Sequence, residues 1–73
     1  MSEVQSVVFE RNKWNVPNAK EWLRQNQYKT SFRGKGVDKK DTQLRFRQTA
    51  PKQYTRYTSK KLKGGVMLVI GYK

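Results

Sequence analysis

The chain has 73 residues and a net charge of +12, with seventeen Lys and Arg against five Asp and Glu. It contains no Cys and no His, which excludes disulfides, thiolate nucleophiles, Cys/His zinc sites and imidazole acid–base chemistry. A chain of this length is expected to form one basic domain, residues 1–73, that buries only about 60% of its unfolded surface.

The positive charge is concentrated after residue 26. Residues 1–26 carry four basic and three acidic side chains, whereas residues 27–73 carry thirteen basic side chains against Asp38 and Asp41. A one-sided charge destabilises the folded chain through self-repulsion, so it indicates an anionic partner, and nucleic acid is the first candidate.

Membrane insertion and secretion are not expected. The longest apolar stretch, Val66–Ile70, is far shorter than the roughly 20 residues that span a bilayer. The N-terminal residues lack the basic and long apolar regions of a signal peptide. The sequence therefore predicts a soluble intracellular protein, or a component of a particle assembled inside a cell.

The first predicted elements are a strand at Val4–Phe9 and a helix within Trp14–Tyr28. Pro17 suits the first helical turn, where a missing N–H costs nothing. Asn15 can cap the helix, while Asn18 begins a competing capping box one turn later.

An apolar stripe at positions i, i+3 and i+4 predicts the inward face of this helix. The stripe consists of Ala19, Trp22 and Leu23. Asn26 is expected to end the helix in a left-handed conformation. Because so short a helix is not stable alone in water, it is expected to pack on a sheet.

The middle of the chain predicts a short strand at Ser31–Arg33, a polar loop over residues 34–41 and a strand at Gln43–Gln48. In the last of these, Leu44 and Phe46 share one face, while Gln43, Arg45 and Arg47 share the other. This alternation is typical of a half-buried strand.

The C-terminal part predicts a break at Ala50–Lys52, then a strand or extended arm at Tyr54–Thr58. Lys60–Gly65 ends in a tight-turn signal. Val66–Ile70 is expected to be a strand buried on both faces at the centre of the sheet.

These elements predict an α+β fold with one short helix packed on a small, mainly antiparallel sheet of three to five strands. The residues expected in the core are Phe9, Trp22, Leu23, Leu44, Phe46, Leu68 and Ile70.

Three groups of residues are candidates for binding an anion. The first is the glycine-containing loop, whose backbone amides and cations can hold a phosphate or can simply be solvated. The second is the outward face of the strand with Arg45 and Arg47, because a guanidinium matches phosphate oxygens bidentately. The third is residues 52–63, where tyrosines that can stack on bases alternate with basic groups, unless one ring points into the core. The candidate binding residues are Arg33, Lys35, Lys39, Lys40, Arg45, Arg47, Lys52, Tyr54, Arg56, Tyr57, Lys60, Lys61 and Lys63.

Catalysis has little support in the sequence. Asp38 and Asp41 are three residues apart, and two carboxylates can in principle hold a magnesium ion, but they lie among lysines. No enzyme activity, cofactor or resident metal is predicted. The helix carries a mixture of charges, so base-specific reading of the DNA major groove is not predicted either.

Five short motifs follow one another along the chain. They are residues 4–9 (Val-Gln-Ser-Val-Val-Phe), 13–14 (Lys-Trp), 19–23 (Ala-x-x-Trp-Leu), 45–48 (Arg-Phe-Arg-Gln) and 68–71 (Leu-Val-Ile-Gly). Their order resembles a small domain that recurs in proteins of tailed phages and large DNA viruses. The resemblance covers most of the chain and implies a viral origin without catalytic residues. The basic segment 52–63 is richer in cations than this pattern.

The leading expectation is a small protein that binds the phosphate backbone of nucleic acid, DNA before RNA, with little sequence specificity. Compaction or protection of a viral genome would use such binding. The alternative is a minor capsid or internal virion protein that docks on an acidic or capsid protein through its basic face. The sequence leaves the oligomeric state open, a homo-oligomer included.

Overall fold

The secondary structure is that of a computed structural model, which describes residues 2–31, 34, 36–49 and 54–72. Within these residues one helix, α1, spans Val16–Gln25. The strands are β1 Ser2–Glu10, β2 Asp38–Lys39, β3 Gln43–Arg47, β4 Arg56–Leu62 and β5 Val66–Tyr72. They form one sheet in the order β2-β3-β1-β5-β4, and every pairing is antiparallel. The predicted α+β fold is therefore confirmed.

The central strand of the sheet is β1, which pairs with β3 on one side and β5 on the other. The prediction that Val66–Ile70 forms the centre is wrong, because β5 lies one strand away from it. In that segment Val66 is buried, whereas residues 67–70 are only half-buried. A short apolar run indicates burial, but it does not say where the strand lies in the sheet.

The core lies between α1 and the β3–β1–β5 part of the sheet. Its buried members are Val7, Phe9, Ala19, Leu23, Leu44, Phe46 and Val66. Phe9 makes edge-to-face contacts with Trp14, Trp22 and Phe46 at centroid distances of 5.0, 5.6 and 5.5 Å. Trp22 and Leu68 are half-buried against this cluster, and Ile70 is half-buried outside it.

The helix begins as predicted and ends differently. Asn15 caps it, since its side-chain Oδ1 accepts a hydrogen bond of 2.9 Å from the Asn18 N–H. The prediction that Asn26 is left-handed is wrong, because Asn26 has φ −103° and Gln27 takes the positive φ of 64°. Asn26 instead donates its side-chain Nδ2 to the Trp22 carbonyl at 2.9 Å, which satisfies one of the last helical carbonyls.

Two glutamines fix the irregular segments to the sheet. Gln5 sits at a β-bulge between Val4 and Ser6, and its carbonyl accepts the backbone N–H groups of Gln48 and Thr49 at 2.6 and 3.2 Å. The buried Gln48 side chain accepts from the Lys29 N–H at 2.7 Å and donates to the Lys29 carbonyl at 2.8 Å. The segment after α1 is therefore joined to the end of β3.

The predicted loop at 34–41 contains the two-residue edge strand β2, which pairs with β3. The strand predicted at Ser31–Arg33 and the break predicted at Ala50–Lys52 fall largely outside the described residues. The strand predicted from Tyr54 begins at Arg56 and continues to Leu62. The turn that follows contains Gly64 and Gly65 at φ 82° and 81°, as the glycine pair predicted.

Candidate functional site

The sheet has a helix face, on which α1 packs, and an opposite face, here called the outer face. Residues directly opposite one another in an antiparallel pair share a face, so the register assigns each side chain to one of the two. One row across the outer face contains Arg45, Val8, Met67 and Lys61, and the next contains Arg47, Ser6, Val69 and Ser59.

Basic side chains border both sides of the outer face. Arg45 and Arg47 lie on β3 and Lys61 lies on β4, with β1 and β5 between them. Three inter-strand spacings separate these borders, which is about 14 Å. Between them Val8 and Ser6 are buried, whereas the side chains of β5 are half-buried and remain partly accessible. The outer face thus combines two cationic borders with a partly apolar strip.

Acidic groups reduce the positive charge of this face. The register sets Asp38 of β2 opposite Arg45, although the two are not adjacent in sequence. The Asp38 carboxylate lies 3.4 Å from Lys40 Nζ, and Glu10 lies 3.6 Å from Lys13 Nζ. Both pairs are largely exposed, so each contributes little to stability and a charged ligand can displace it.

Arg45 is less exposed than Arg47, its neighbour on the same face of β3. Its side chain is half-buried, and its Nε atom is buried without a hydrogen-bond partner among the described residues. A buried donor without a partner destabilises a protein by about 1–3 kcal/mol. Because Nε is buried, a ligand would contact only the accessible part of the Arg45 side chain.

The third group of candidate binding residues, within segment 52–63, lies largely on strand β4 and is divided between the two faces of the sheet. Tyr57 and Lys61 lie on the outer face, opposite Gly71 and Met67. Arg56 and Lys60 lie on the helix face, where the Arg56 guanidinium sits 4.6 Å from the centre of the Tyr72 ring. Residues 56–63 therefore do not form one continuous surface.

The remaining candidates are scattered. Lys63 is exposed in the β4–β5 turn, and Lys39 is exposed opposite Leu44, on the helix-face side of the sheet. Lys40 is paired with Asp38. Arg33, Lys35 and Lys52 lie outside the described residues. Of the predicted set, Arg45, Arg47, Tyr57 and Lys61 are thus brought together on the outer face.

Tyr54 closes one end of the outer face. A Cβ atom added to Gly71 would lie closer than 3.0 Å to the Tyr54 ring, so this ring packs directly over the glycine. The Tyr54 hydroxyl donates to Glu3 Oε1 at 2.5 Å and also hydrogen-bonds with the Thr49 hydroxyl. Tyr57 meets the Tyr54 ring edge-on at 5.5 Å and is 44% exposed. Tyr57 therefore offers more surface for base stacking than Tyr54.

The hydroxyl of Tyr54 supplies a pH-dependent contribution to stability. Partial burial, followed by the hydrogen bond to Glu3, raises the pKa of Tyr54 above its ordinary value of 10.0. The folded state thus holds this proton more tightly than the unfolded state. Its stabilising contribution is complete below the ordinary pKa and is lost as the pH rises through the raised pKa.

We therefore expect the free energy of unfolding to fall more steeply above about pH 10 in the wild type than in Tyr54→Phe. Urea unfolding at each pH measures both slopes. Tyr57→Phe leaves the Tyr54–Glu3 hydrogen bond in place and should keep the wild-type slope. Equal slopes for the wild type and Tyr54→Phe would contradict the assignment.

The described residues also bear on metal binding and on membrane insertion. Among the described residues no three acidic side chains are grouped closely enough to hold a metal ion, so the Asp38–Asp41 arrangement gains no third ligand there. In the described part of the chain no helix is both long and apolar enough to cross a bilayer.

Comparison with protein-family models, with curated proteins and with solved structures finds no match.

Proposed function

We propose that this protein binds nucleic acid through the outer face, holding the phosphate backbone with little sequence specificity. The observation that carries the proposal is that Arg45, Arg47 and Lys61 border one face that α1 does not cover. Guanidinium and ammonium groups attract phosphates of any sequence, and their contacts depend strongly on salt.

The shape of the outer face favours an unpaired strand over a duplex. A sheet surface about 14 Å wide between its cationic borders can accept one backbone with its bases turned inward. Half-buried Met67 and Val69 and the exposed part of Tyr57 supply apolar and aromatic surface for those bases. The resemblance to a domain of phage and large-virus proteins suggests compaction or protection of a viral genome, with DNA favoured over RNA.

Competition binding between single- and double-stranded DNA of matched length tests this function. We expect the single strand to compete better at low salt, and we expect both affinities to fall steeply as salt rises. Absence of binding to either DNA or RNA at low salt would overturn the function. A clear preference for the duplex would overturn the proposed use of the outer face.

The second candidate function is a structural component of a virus particle. It is favoured by β4, which among the described strands lies at the edge of the sheet next to β5. Its exposed side chains include Arg56 and Lys60 on the helix face. Such an edge can dock on an acidic protein, although lysines on an edge strand also serve to prevent unwanted pairing. Mass spectrometry of purified particles tests this candidate, which fails if the protein is absent from them.

A further inference from the structure

A depression of about 400 Å³ lies at the end of the outer face opposite Tyr54. It is formed where the end of β1 meets the β4–β5 turn, and Glu10, Lys13, Gln43, Lys61 and Met67 line it. Its volume falls in the range of ordinary small-molecule sites. The depression is continuous with the row that carries Met67 and Lys61, so a strand bound on the outer face would reach it.

Gly65 lies against the two charged side chains that line this depression. A Cβ atom at Gly65 would lie 2.9 Å from Lys13 Cδ and 3.0 Å from Glu10 Oε2, and the residue has a φ of +81°. Any other residue would therefore strain the backbone and push the two charged side chains out of place. The surrounding turn is fixed because Trp14 Nε1 donates to the Gly64 carbonyl at 2.6 Å.

The chemistry of the lining suits a nucleotide with a particular kind of base. Lys13 and Lys61 supply cations for a phosphate, and the half-buried Met67 supplies apolar surface for a ring. The ionised carboxylate of Glu10 can only accept hydrogen bonds, whereas the Gln43 amide can both donate and accept. The salt bridge between Glu10 and Lys13 is 3.6 Å long, and the side chains are 52% and 57% exposed, so it is readily exchanged for a ligand contact.

We propose that this depression receives one base of a bound single strand and selects bases that carry an exocyclic amino group. The amino N–H of cytosine, adenine or guanine donates to the Glu10 carboxylate. Thymine and uracil instead have carbonyl oxygens on both sides of their single ring N–H, and these oxygens repel a carboxylate. The inference rests on the proposed function: the outer face supplies affinity for the backbone, and Glu10 adds a preference at one base.

Binding of fluorescently labelled oligo(dC) and oligo(dT) of equal length, at one salt concentration and neutral pH, tests the inference. We expect oligo(dC) to bind about fivefold more tightly than oligo(dT). This ratio corresponds to the net contribution of one partly exposed hydrogen bond to a charged group. Glu10→Gln should abolish the preference, because its amide can donate to thymine carbonyls as well as accept from cytosine. Glu21→Gln, which makes the same charge change on the exposed side of α1, should retain it.

The possible outcomes distinguish base selectivity at Glu10 from binding of the backbone by the outer face. Equal affinity of the wild type for both oligonucleotides, or a preference that survives in Glu10→Gln, would overturn the base selectivity and leave backbone binding intact. Failure of both oligonucleotides to bind at low salt would overturn the proposed function itself.

Discussion

Replacing Arg47 and Lys61 by glutamine should weaken single-stranded DNA binding about 25-fold at 0.1 M salt. Each lost phosphate contact lowers the slope of log K against log salt by about 0.7 for a single strand, so two contacts lower it by about 1.4. Both side chains are exposed on opposite borders of the outer face, and neither belongs to the core. The fold should therefore remain intact, and anisotropy titrations across a salt series measure both quantities.

A matched control separates a local site from the effect of net charge. Lys20→Gln/Arg24→Gln removes the same charge from α1, on the other side of the sheet. We expect this variant to lose only a small part of the affinity and to keep nearly the full salt slope. If the two double variants lose affinity and slope equally, the outer face is not the binding surface.

Gly71→Ala should lower the free energy of unfolding by about 1–3 kcal/mol, the usual cost of forcing extra volume into a packed site. The new methyl group would overlap the Tyr54 ring, so Tyr54 would have to leave its place over β5. Its hydrogen bonds to Glu3 and Thr49 would be lost with it. Urea unfolding measures this change.

The same substitution should have the opposite sign once the ring is absent. In a Tyr54→Ala background, Gly71→Ala should stabilise the protein by about 0.4–1 kcal/mol, because alanine restricts the unfolded chain more than glycine does. Gly71 has no positive φ, so its backbone accepts alanine without strain. An equal loss of stability in both backgrounds would show that the cost does not come from Tyr54.

Much of the fold could be predicted because local patterns determine it. The alternation over Gln43–Arg47 assigned Leu44 and Phe46 to the core and Arg45 and Arg47 to the opposite face, as the register shows. The cap at Asn15 follows from side-chain chemistry within one turn. The order of the strands could not be predicted, because pairing of β1 with both β3 and β5 depends on contacts between distant segments.

The candidate site was only partly predictable. Asp38 and Arg45 lie opposite each other in a hairpin of β2 and β3, but the polar composition of residues 34–41 predicted a loop and not a strand there. Successive side chains of β4 point to opposite faces, as in any strand. The sequence did not predict this division for Lys60 and Lys61, because the predicted strand ended at Thr58 whereas β4 continues to Leu62. Glu10 lines the depression only because the turn at Gly64 and Gly65 folds against the end of β1, and this contact joins segments that are far apart in sequence.

The motifs on which the sequence-based resemblance rests consist largely of structural residues. Phe9, Leu23 and Phe46 are in the core, and Gln48 holds the backbone of Lys29. Gly71 is required by the packing of Tyr54. Most of this pattern describes how the chain folds, although it also includes Arg45 and Arg47 of the proposed binding surface. Lys61, on the other border of that surface, lies outside the pattern.

The central position of β1 has a consequence for the order in which the protein can fold. Ser2 pairs with Tyr72 and Phe9 with Val66, so the middle of the sheet joins segments from opposite ends of the described chain. Closing so long a loop is entropically costly and slows folding, and during synthesis β1 must wait for β5 to leave the ribosome. Until then its apolar residues have only β3 and α1 as partners, and a chain interrupted before β5 should not form a stable sheet.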